Sequence, residues 1–92
     1  MSDPAERMEE LRAEISSNDR EIVAAVNERL RLVAELWRLK DRHGADRLDL
    51  DRERTLREHL AEANAGPLSA EGLDALVTEL LALTKRELGG SA

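Results

Sequence analysis

The chain has no cysteine, phenylalanine or tyrosine, and it has one tryptophan, Trp37. The absence of cysteine excludes a disulfide framework and a thiolate metal site. His43 and His59 have no companion at a metal-ligand spacing, so we interpret both as solvated surface residues. Apolar burial has to come from Leu, Val, Ile and Ala, a composition typical of helices rather than sheets. The first prediction is therefore an all-α fold.

A long stretch of positive charge is also missing. The net charge is −6, acidic and basic residues are interspersed, and no aromatic platform accompanies them, which excludes nucleic acid as a partner. No apolar run approaches the length of a signal sequence or a membrane span, so we expect no membrane contact and a cytosolic location. The 92 residues are 41% hydrophobic and 37% charged, which predicts one domain with a thin core.

Glycine and proline are scarce, and they mark where helices begin and end. Asp3 followed by Pro4 is an N-cap and a first-turn proline, and neither glycine nor proline occurs again before Gly44. This predicts one helix over about residues 4–42. The turn-forming cluster at residues 16–19 interrupts its composition but not its phase. The apolar positions that keep one phase across the cluster are Met8, Leu11, Ile15, Ile22 and Val26.

Two shorter helices are predicted after a polar loop around residues 43–46. Asp49 is placed to cap a helix over about residues 50–63, which ends at the Asn-Ala-Gly-Pro sequence of residues 64–67. Ser69 is placed to cap a helix over about residues 69–88, which Gly89 and Gly90 stop. Their apolar positions are Leu56, Leu60 and Ala63, then Leu73, Leu76, Val77, Leu80 and Leu81. We assign residues 1–92 to a single helical domain.

The predicted helix lengths do not match. At about 1.5 Å per residue the first helix is ~60 Å long, whereas the other two could line at most ~50 Å of it end to end. A monomer would leave apolar surface uncovered, and pairing two chains along their long helices removes that exposure. We predict an intertwined helical homodimer with isologous contacts. A bent three-helix monomer is the alternative.

Two cations interrupt the apolar face of the first helix. Arg29 and Lys40 are eleven positions apart, which places them at nearly the same azimuth and ~16 Å apart along the axis. Two buried cations need an anion, and this pair could bracket a small, multiply charged molecule. From the residues alone, side chains that snorkel from the edge of the helix are an equal alternative.

A second charged group opens the second helix. Asp49, Arg52 and Glu53 lie at i, i+3 and i+4, so they project from one side. Such spacings usually give surface ion pairs worth under about 1 kcal/mol. The group therefore indicates a binding site only if it lies beside the cations of the first helix.

Taken together, these residues resemble a known family. The matching elements, in order and spacing, are Leu11-Arg12-x-x-Ile15-x-x-x-Asp19, Glu28-Arg29, Lys40 and Asp49-x-x-Arg52-Glu53-Arg54. The pattern is similar to that of the AroQ-type, all-helical chorismate mutases, and the resemblance covers about residues 8 to 88. It is closest to short mutases and mutase domains of the shikimate pathway and aromatic amino acid biosynthesis.

The resemblance implies an intertwined homodimer with two equivalent sites that converts chorismate to prephenate without a metal or cofactor. Chorismate is a dicarboxylate. Its Claisen rearrangement needs a compact conformer and stabilisation of charge on the breaking ether oxygen. Fixed cations with almost no acid–base pair suit that reaction and do not suit hydrolysis.

The resemblance also implies a role for each cation of the first helix. Arg29 would bind one substrate carboxylate, and Arg12, reaching across from the second chain, would bind a carboxylate too. Lys40 would donate a hydrogen bond to the ether oxygen. Taken alone, Arg12 is more readily interpreted as an ordinary surface cation.

The remaining roles fall on the other two helices. Asp49 and Glu53 would hold the substrate hydroxyl group and its surroundings, and Arg52 would add a polar or cationic contact. Thr84 lies where the family has a small polar residue.

One position departs from the family pattern. Leu88 stands four residues after Thr84, where the family has a Gln or Glu that also contacts the ether oxygen. Leucine cannot donate, and loss of one preorganised donor commonly costs on the order of 10²- to 10³-fold in rate. We therefore expect a low intrinsic activity. The ending over residues 86–90 also resembles that of actinobacterial mutases activated by a DAHP synthase, which implies such a partner.

Other functions would use the same fold. An isochorismate pyruvate-lyase or an aminodeoxychorismate mutase would need the same cationic cage. A non-catalytic helical regulatory subunit of a shikimate-pathway enzyme is supported by Leu88. It is opposed by the retained cations, since buried charges without a ligand are costly. A coiled-coil adaptor would have an apolar seam where these cations stand.

Overall fold

A computed structural model describes residues 3 to 89, and these residues form three α-helices and no strand. Helix α1 spans Pro4–Arg42, α2 spans Leu50–Ala63 and α3 spans Ala70–Leu88. The all-α, three-helix prediction is confirmed for this part of the chain. Gly90, half of the predicted stop after α3, lies outside the described residues. None of the described helices is long and apolar enough to cross a membrane.

Helix α1 is continuous through the turn-forming cluster at residues 16–19. Its first turn is capped by Asp3, whose Oδ1 accepts a hydrogen bond from the Ala5 amide at 3.4 Å. Ion pairs at i, i+3 spacing run along its surface, including Arg7 with Glu10 at 3.0 Å. Such exposed pairs contribute a few tenths of a kcal/mol each. The continuity of α1 therefore follows from its unbroken phase and from the absence of glycine and proline.

Helices α2 and α3 begin at the predicted caps. Asp49 Oδ1 accepts from the Arg52 amide at 3.1 Å, and Ser69 Oγ accepts from the Gly72 amide at 3.0 Å. Between the helices, Asn64 Oδ1 accepts from the Gly66 amide at 3.0 Å. Gly66 has a φ of +81°, which favours glycine because it has no Cβ. The turn reverses the chain so that α3 packs against α2.

The buried residues of the described chain lie on α3, the helix that packs against α2. Val77 is 1% exposed and Thr84 is 5% exposed, and both lie on α3. At the rim, the Arg57 guanidinium reaches from α2 to α3, with Nη1 2.6 Å from Asp74 Oδ1 and Nη2 3.1 Å from Thr78 Oγ1. Two helices of this length bury little by themselves, so the core of one chain is as thin as its composition predicts.

The chain divides into two compact units, Met1–Leu32 and Val33–Ala92, with the boundary inside α1. No residue of α1 is buried. The large apolar side chains of α1 that remain exposed in the single chain are Met8, Leu11, Ile15, Ile22, Val23, Leu32, Leu36 and Leu39. Leu76, predicted on the apolar face of α3, is also exposed. The apolar face is present as predicted, but one chain does not cover it.

Candidate active site

Lys40 lies in the second unit, at the end of α1, beside an open recess of about 470 Å³. The volume is in the range of sites that hold small molecules. Its ammonium Nζ donates to the Arg47 carbonyl oxygen at 3.3 Å. The residues that line the recess are Lys40, Ala45, Asp46, Leu48, Asp49, Leu50 and Asp51. Lys40 and Asp49, two of the predicted site residues, therefore lie at one recess.

Asp49 and Arg52 are linked through the start of α2. The Asp49 carboxylate is the N-cap of the helix, because Oδ1 accepts the Arg52 amide. The Arg52 side chain is exposed, and its guanidinium has no hydrogen bond or ion pair to any residue from 3 to 89. Asp49 therefore caps α2 whether or not it also binds a ligand. The N–H donors of the Arg52 guanidinium are available to a ligand.

Glu53 is the half-buried carboxylate of α2. Its side chain is 27% exposed, and Oε1 lies 3.9 Å from the Lys85 ammonium on α3. Sequence reasoning did not single out Lys85, since contact between α2 and α3 at this point depends on how the two helices pack. The pair adds a cation beside a predicted site residue.

Thr84 and Leu88 lie on one side of α3, four residues apart. Thr84 is buried, and its Oγ1 donates to the Leu80 carbonyl oxygen at 2.8 Å. Leu88 is partly exposed in the last turn of the helix. The structure therefore places the predicted small polar residue at a buried position of α3 and an apolar side chain where the expected donor is missing.

Arg12 and Arg29 both belong to α1 in the first unit. The Arg12 side chain is 67% exposed and pairs with Glu9 at 2.6 Å. Arg29 is partly exposed. Seventeen positions separate the two residues, which is about 26 Å along a helix axis. One small molecule cannot contact both from a single chain.

The predicted burial of Arg29 and Lys40 is not seen in the single chain. Both residues are partly exposed, because the single chain leaves every residue of α1 at least partly accessible. The reasoning that two buried cations need an anion therefore does not hold for one chain by itself.

The loop between α1 and α2 contains a cluster that sequence reasoning missed. Arg47 forms a two-pronged ion pair with Asp41, with Nε 3.1 Å from Oδ1 and Nη2 2.7 Å from Oδ2. Its guanidinium lies 5.1 Å from the centre of the Trp37 ring. The hydrogen bond from Arg47 lowers the pKa of the Asp41 carboxyl below its ordinary value, and the same contact raises the pKa of Arg47. Asp41 is therefore ionised at neutral pH, and the pair is an ion pair.

The acidic residues of the described chain are also candidates for metal ligands. Among residues 3–89, no three His, Asp or Glu side chains are grouped to hold a metal ion. The groups available for chemistry are ammonium, guanidinium, carboxylate and hydroxyl side chains. Such groups bind and polarise an anionic substrate by hydrogen bonds and charge.

A family model matches most of the chain. Residues 11–87 match the model of chorismate mutase type II. The chain belongs to this family. It is accordingly an enzyme, a chorismate mutase, and its activity is that of an isomerase. No curated protein sequence gives a significant match to the chain.

Solved structures of a chorismate mutase share the fold. Form I of chorismate mutase from Thermus thermophilus is 33% identical to the chain, covers 85% of it and 98% of its own length, and superposes with a TM-score of 0.81. Form II of the same enzyme gives the same identity and TM-score and is covered over 89% of its length. The match spans most of both proteins, so the family and the three-helix architecture agree.

Two substitutions at Asp49 distinguish its role as the N-cap of α2 from the role of its negative charge. Asparagine is as good an N-cap as aspartate, so Asp49→Asn should keep the free energy of unfolding, whereas Asp49→Ala should lower it by about 1 kcal/mol. Urea denaturation measures both. An Asp49→Ala protein as stable as wild type would contradict the cap. Activity of the equally stable Asp49→Asn protein then reports on the carboxylate alone.

Proposed function

We propose that the protein converts chorismate to prephenate in the cytoplasm, at a site where fixed cations hold the substrate dianion and Lys40 stabilises the breaking ether bond. The observation that carries this assignment is the Lys40 ammonium at the recess, 3.3 Å from the Arg47 carbonyl. A Claisen rearrangement transfers no proton and needs no nucleophile. It is accelerated by holding a compact conformer and by donors aimed at the developing charge.

Lys40 is the donor to the ether oxygen. An ammonium has three N–H donors, and the Arg47 carbonyl accepts one of them. The other two are available to a ligand in the recess. In a site from which water is excluded, such a donor acts in a lower dielectric and lowers the barrier more than it would in water.

Cations from outside the recess have to bind the substrate carboxylates. The recess is lined by Lys40 and by three acidic residues, Asp46, Asp49 and Asp51, so its own charge does not favour a dianion. In the proposed complex Arg29 binds one carboxylate of chorismate and Arg12 of a second chain binds a carboxylate too. Charge-assisted, two-pronged contacts from arginine match a carboxylate in geometry.

A homodimer supplies that second chain. The ~26 Å between Arg12 and Arg29 along one α1 rules out their joint contact with one small molecule unless two chains take part. The exposed apolar side chains of α1 would be covered by a second copy of the helix, which supports isologous pairing. Each dimer would then contain two equivalent sites.

The remaining predicted residues complete the pocket. Glu53 and Asp49 would accept hydrogen bonds from the substrate hydroxyl group and its surroundings, and the unpartnered Arg52 guanidinium would add a donor. Thr84 would present a small polar surface. The half-burial of Glu53 and the burial of Thr84 support a position inside a site.

The intrinsic activity is proposed to be low, with a DAHP synthase as the activating partner. Leu88 offers no donor to the ether oxygen, and it lies in the terminal turn of α3, where helices fray. The resemblance of residues 86–90 to actinobacterial mutases supports this partner. A partner that ordered this end of α3 would restore the geometry of the pocket without adding a covalent step.

The assignment is tested by incubating purified protein with chorismate and following the loss of its absorbance, with the product identified. Prephenate is the expected product. Release of pyruvate would assign the protein as a lyase, and absence of turnover with or without a DAHP synthase would favour a regulatory subunit.

The first prediction concerns the oligomeric state. Light scattering at micromolar concentration should give about twice the chain mass of 10.3 kDa, because the apolar face of α1 is otherwise exposed to water. A stable monomer would remove the shared site and the role of Arg12.

The second prediction concerns the two cations of α1. Arg29→Ala and Lys40→Ala should each lower kcat/KM by on the order of 10²-fold or more, because each removes a charge that contacts the substrate or transition state. Thermal unfolding should change little, because both side chains are partly exposed and substitutions outside the core usually change stability by under about 0.5 kcal/mol. Arg7→Ala, which deletes an exposed ion pair on the same helix, is the matched control. Wild-type activity in both variants would mean that the pocket is misplaced.

The third prediction concerns Leu88. Leu88→Gln restores a donor and should raise kcat/KM of the isolated protein by as much as ~10-fold, less than the full value of a donor because the last turn of α3 frays. The gain should appear in kcat, as expected for a contact made only in the transition state. Addition of a DAHP synthase should stimulate wild type more than the variant. Unchanged kinetics in both assays would contradict the account of Leu88.

A further inference from the structure

The loop that joins α1 to α2 is closed on the end of α1 by backbone hydrogen bonds. The Ala45 amide donates to the Lys40 carbonyl at 2.8 Å, and the Gly44 amide donates to the Asp41 carbonyl at 3.3 Å. Gly44 has a φ of +66°, a conformation that favours glycine. These bonds bring residues 45–49 back alongside the last turn of α1.

Arg47 is the residue that holds this loop by its side chain. Two of its guanidinium nitrogens, Nη2 and Nε, donate to the Asp41 carboxylate at 2.7 and 3.1 Å, and the guanidinium lies over the Trp37 ring, 5.1 Å from its centre. A two-pronged pair requires the planar fork of arginine, which lysine lacks, and the flat guanidinium also stacks well on an aromatic face. The two contacts fix the orientation of Arg47 relative to two turns of α1.

Trp37 extends the same cluster to α3. A side chain built at Gly89 would lie 3.5 Å from the Trp37 ring, so the ring lies close against the residue after Leu88. The side chain of Arg47 therefore contacts a ring that reaches the end of the helix where the expected donor is missing. The cluster, defined as Trp37, Asp41 and Arg47, joins the loop, the end of α1 and the end of α3.

The backbone of Arg47 holds the ammonium of Lys40. The carbonyl oxygen of Arg47 accepts from Lys40 Nζ at 3.3 Å, while the side chain of the same residue is fixed to Asp41, the next residue after Lys40. A lysine side chain has four rotatable bonds and loses its direction without such an acceptor. With one N–H held by the carbonyl, the other two remain available to a ligand in the recess that Lys40 lines.

We infer that Arg47 is a positioning residue of this enzyme: held by Asp41 and Trp37, it places its own carbonyl so that the Lys40 ammonium points at the substrate. The inference rests on the proposed role of Lys40 in the reaction. Arg47 touches no reacting atom and acts through Lys40.

The test compares Arg47→Ala and Asp41→Asn with wild type and with the control Arg7→Ala. Loss of the cluster should lower kcat by about 10-fold and leave KM within about twofold, because a misdirected donor reduces transition-state contact more than substrate binding. Arg47→Lys should restore little of the loss, since it keeps the charge but lacks the fork. Arg7→Ala should match wild type.

A second comparison asks whether Arg47 acts through Lys40. In a Lys40→Arg background, which keeps a cation and a measurable rate but changes the geometry of the donor, Arg47→Ala should cause at most about a twofold further loss, because contributions of residues that act as one unit are not additive. An equal 10-fold loss in both backgrounds would overturn the inference.

Trp37 gives a readout that is independent of activity. It is the one tryptophan in the chain, so its fluorescence emission reports on the guanidinium that stacks on it. Arg47→Ala and Asp41→Asn should change the emission in the same way, and Arg7→Ala should not. Unchanged emission in Arg47→Ala would show that the cluster does not form in solution and would overturn the inference.

Failure of the inference and failure of the proposed function give different results. If Lys40→Ala is inactive while Arg47→Ala keeps the wild-type kcat, Arg47 does not position Lys40 and the proposed function stands. If Lys40→Ala keeps wild-type activity, the proposed role of Lys40 is wrong and the inference falls with it.

Discussion

The structure depends on how the apolar face of α1 is covered. This helix has 39 residues, and none of them is buried in the single chain. Burial of apolar area is the main favourable term in folding and in association. Each Å² buried contributes about 25 cal/mol, so covering the apolar face of so long a helix would stabilise the protein substantially. The proposed pairing of two chains would bury it. The same pairing would bring Arg12 of one chain towards the site of the other, so stability and catalysis would share one interface.

Electrostatics lead to the same requirement. The recess beside Lys40 is lined by more acidic residues than basic ones, so the proposed function needs arginines from outside the recess to bind a dicarboxylate. Chorismate mutases need no nucleophile, so the chemistry is set by where the cations point. Two arrangements would then position the cations. The proposed dimer would place the arginines at the site, and the cluster around Arg47 would orient Lys40.

Local signals made the helices predictable, and contacts between elements made parts of the site unpredictable. The caps at Asp49 and Ser69 and the continuous phase of α1 are encoded within a few residues, and the structure shows them. The spacing of Arg29 and Lys40 predicted a shared face but not their exposure, which depends on what covers α1. The contacts of Arg47 with Asp41 and Trp37, and of Lys85 with Glu53, join residues whose proximity comes from a loop or from helix packing. No periodicity reveals them.

A mixture of two inactive variants tests the shared site most directly. Arg12→Ala and Lys40→Ala proteins, each with little activity alone, are unfolded together and refolded so that chains exchange. If each site takes Arg12 from one chain and Lys40 from the other, each mixed dimer has one intact site, and the mixture should recover about a quarter of wild-type activity. A mixture no more active than its parents would contradict the account, because it would place Arg12 and Lys40 of one chain in the same site.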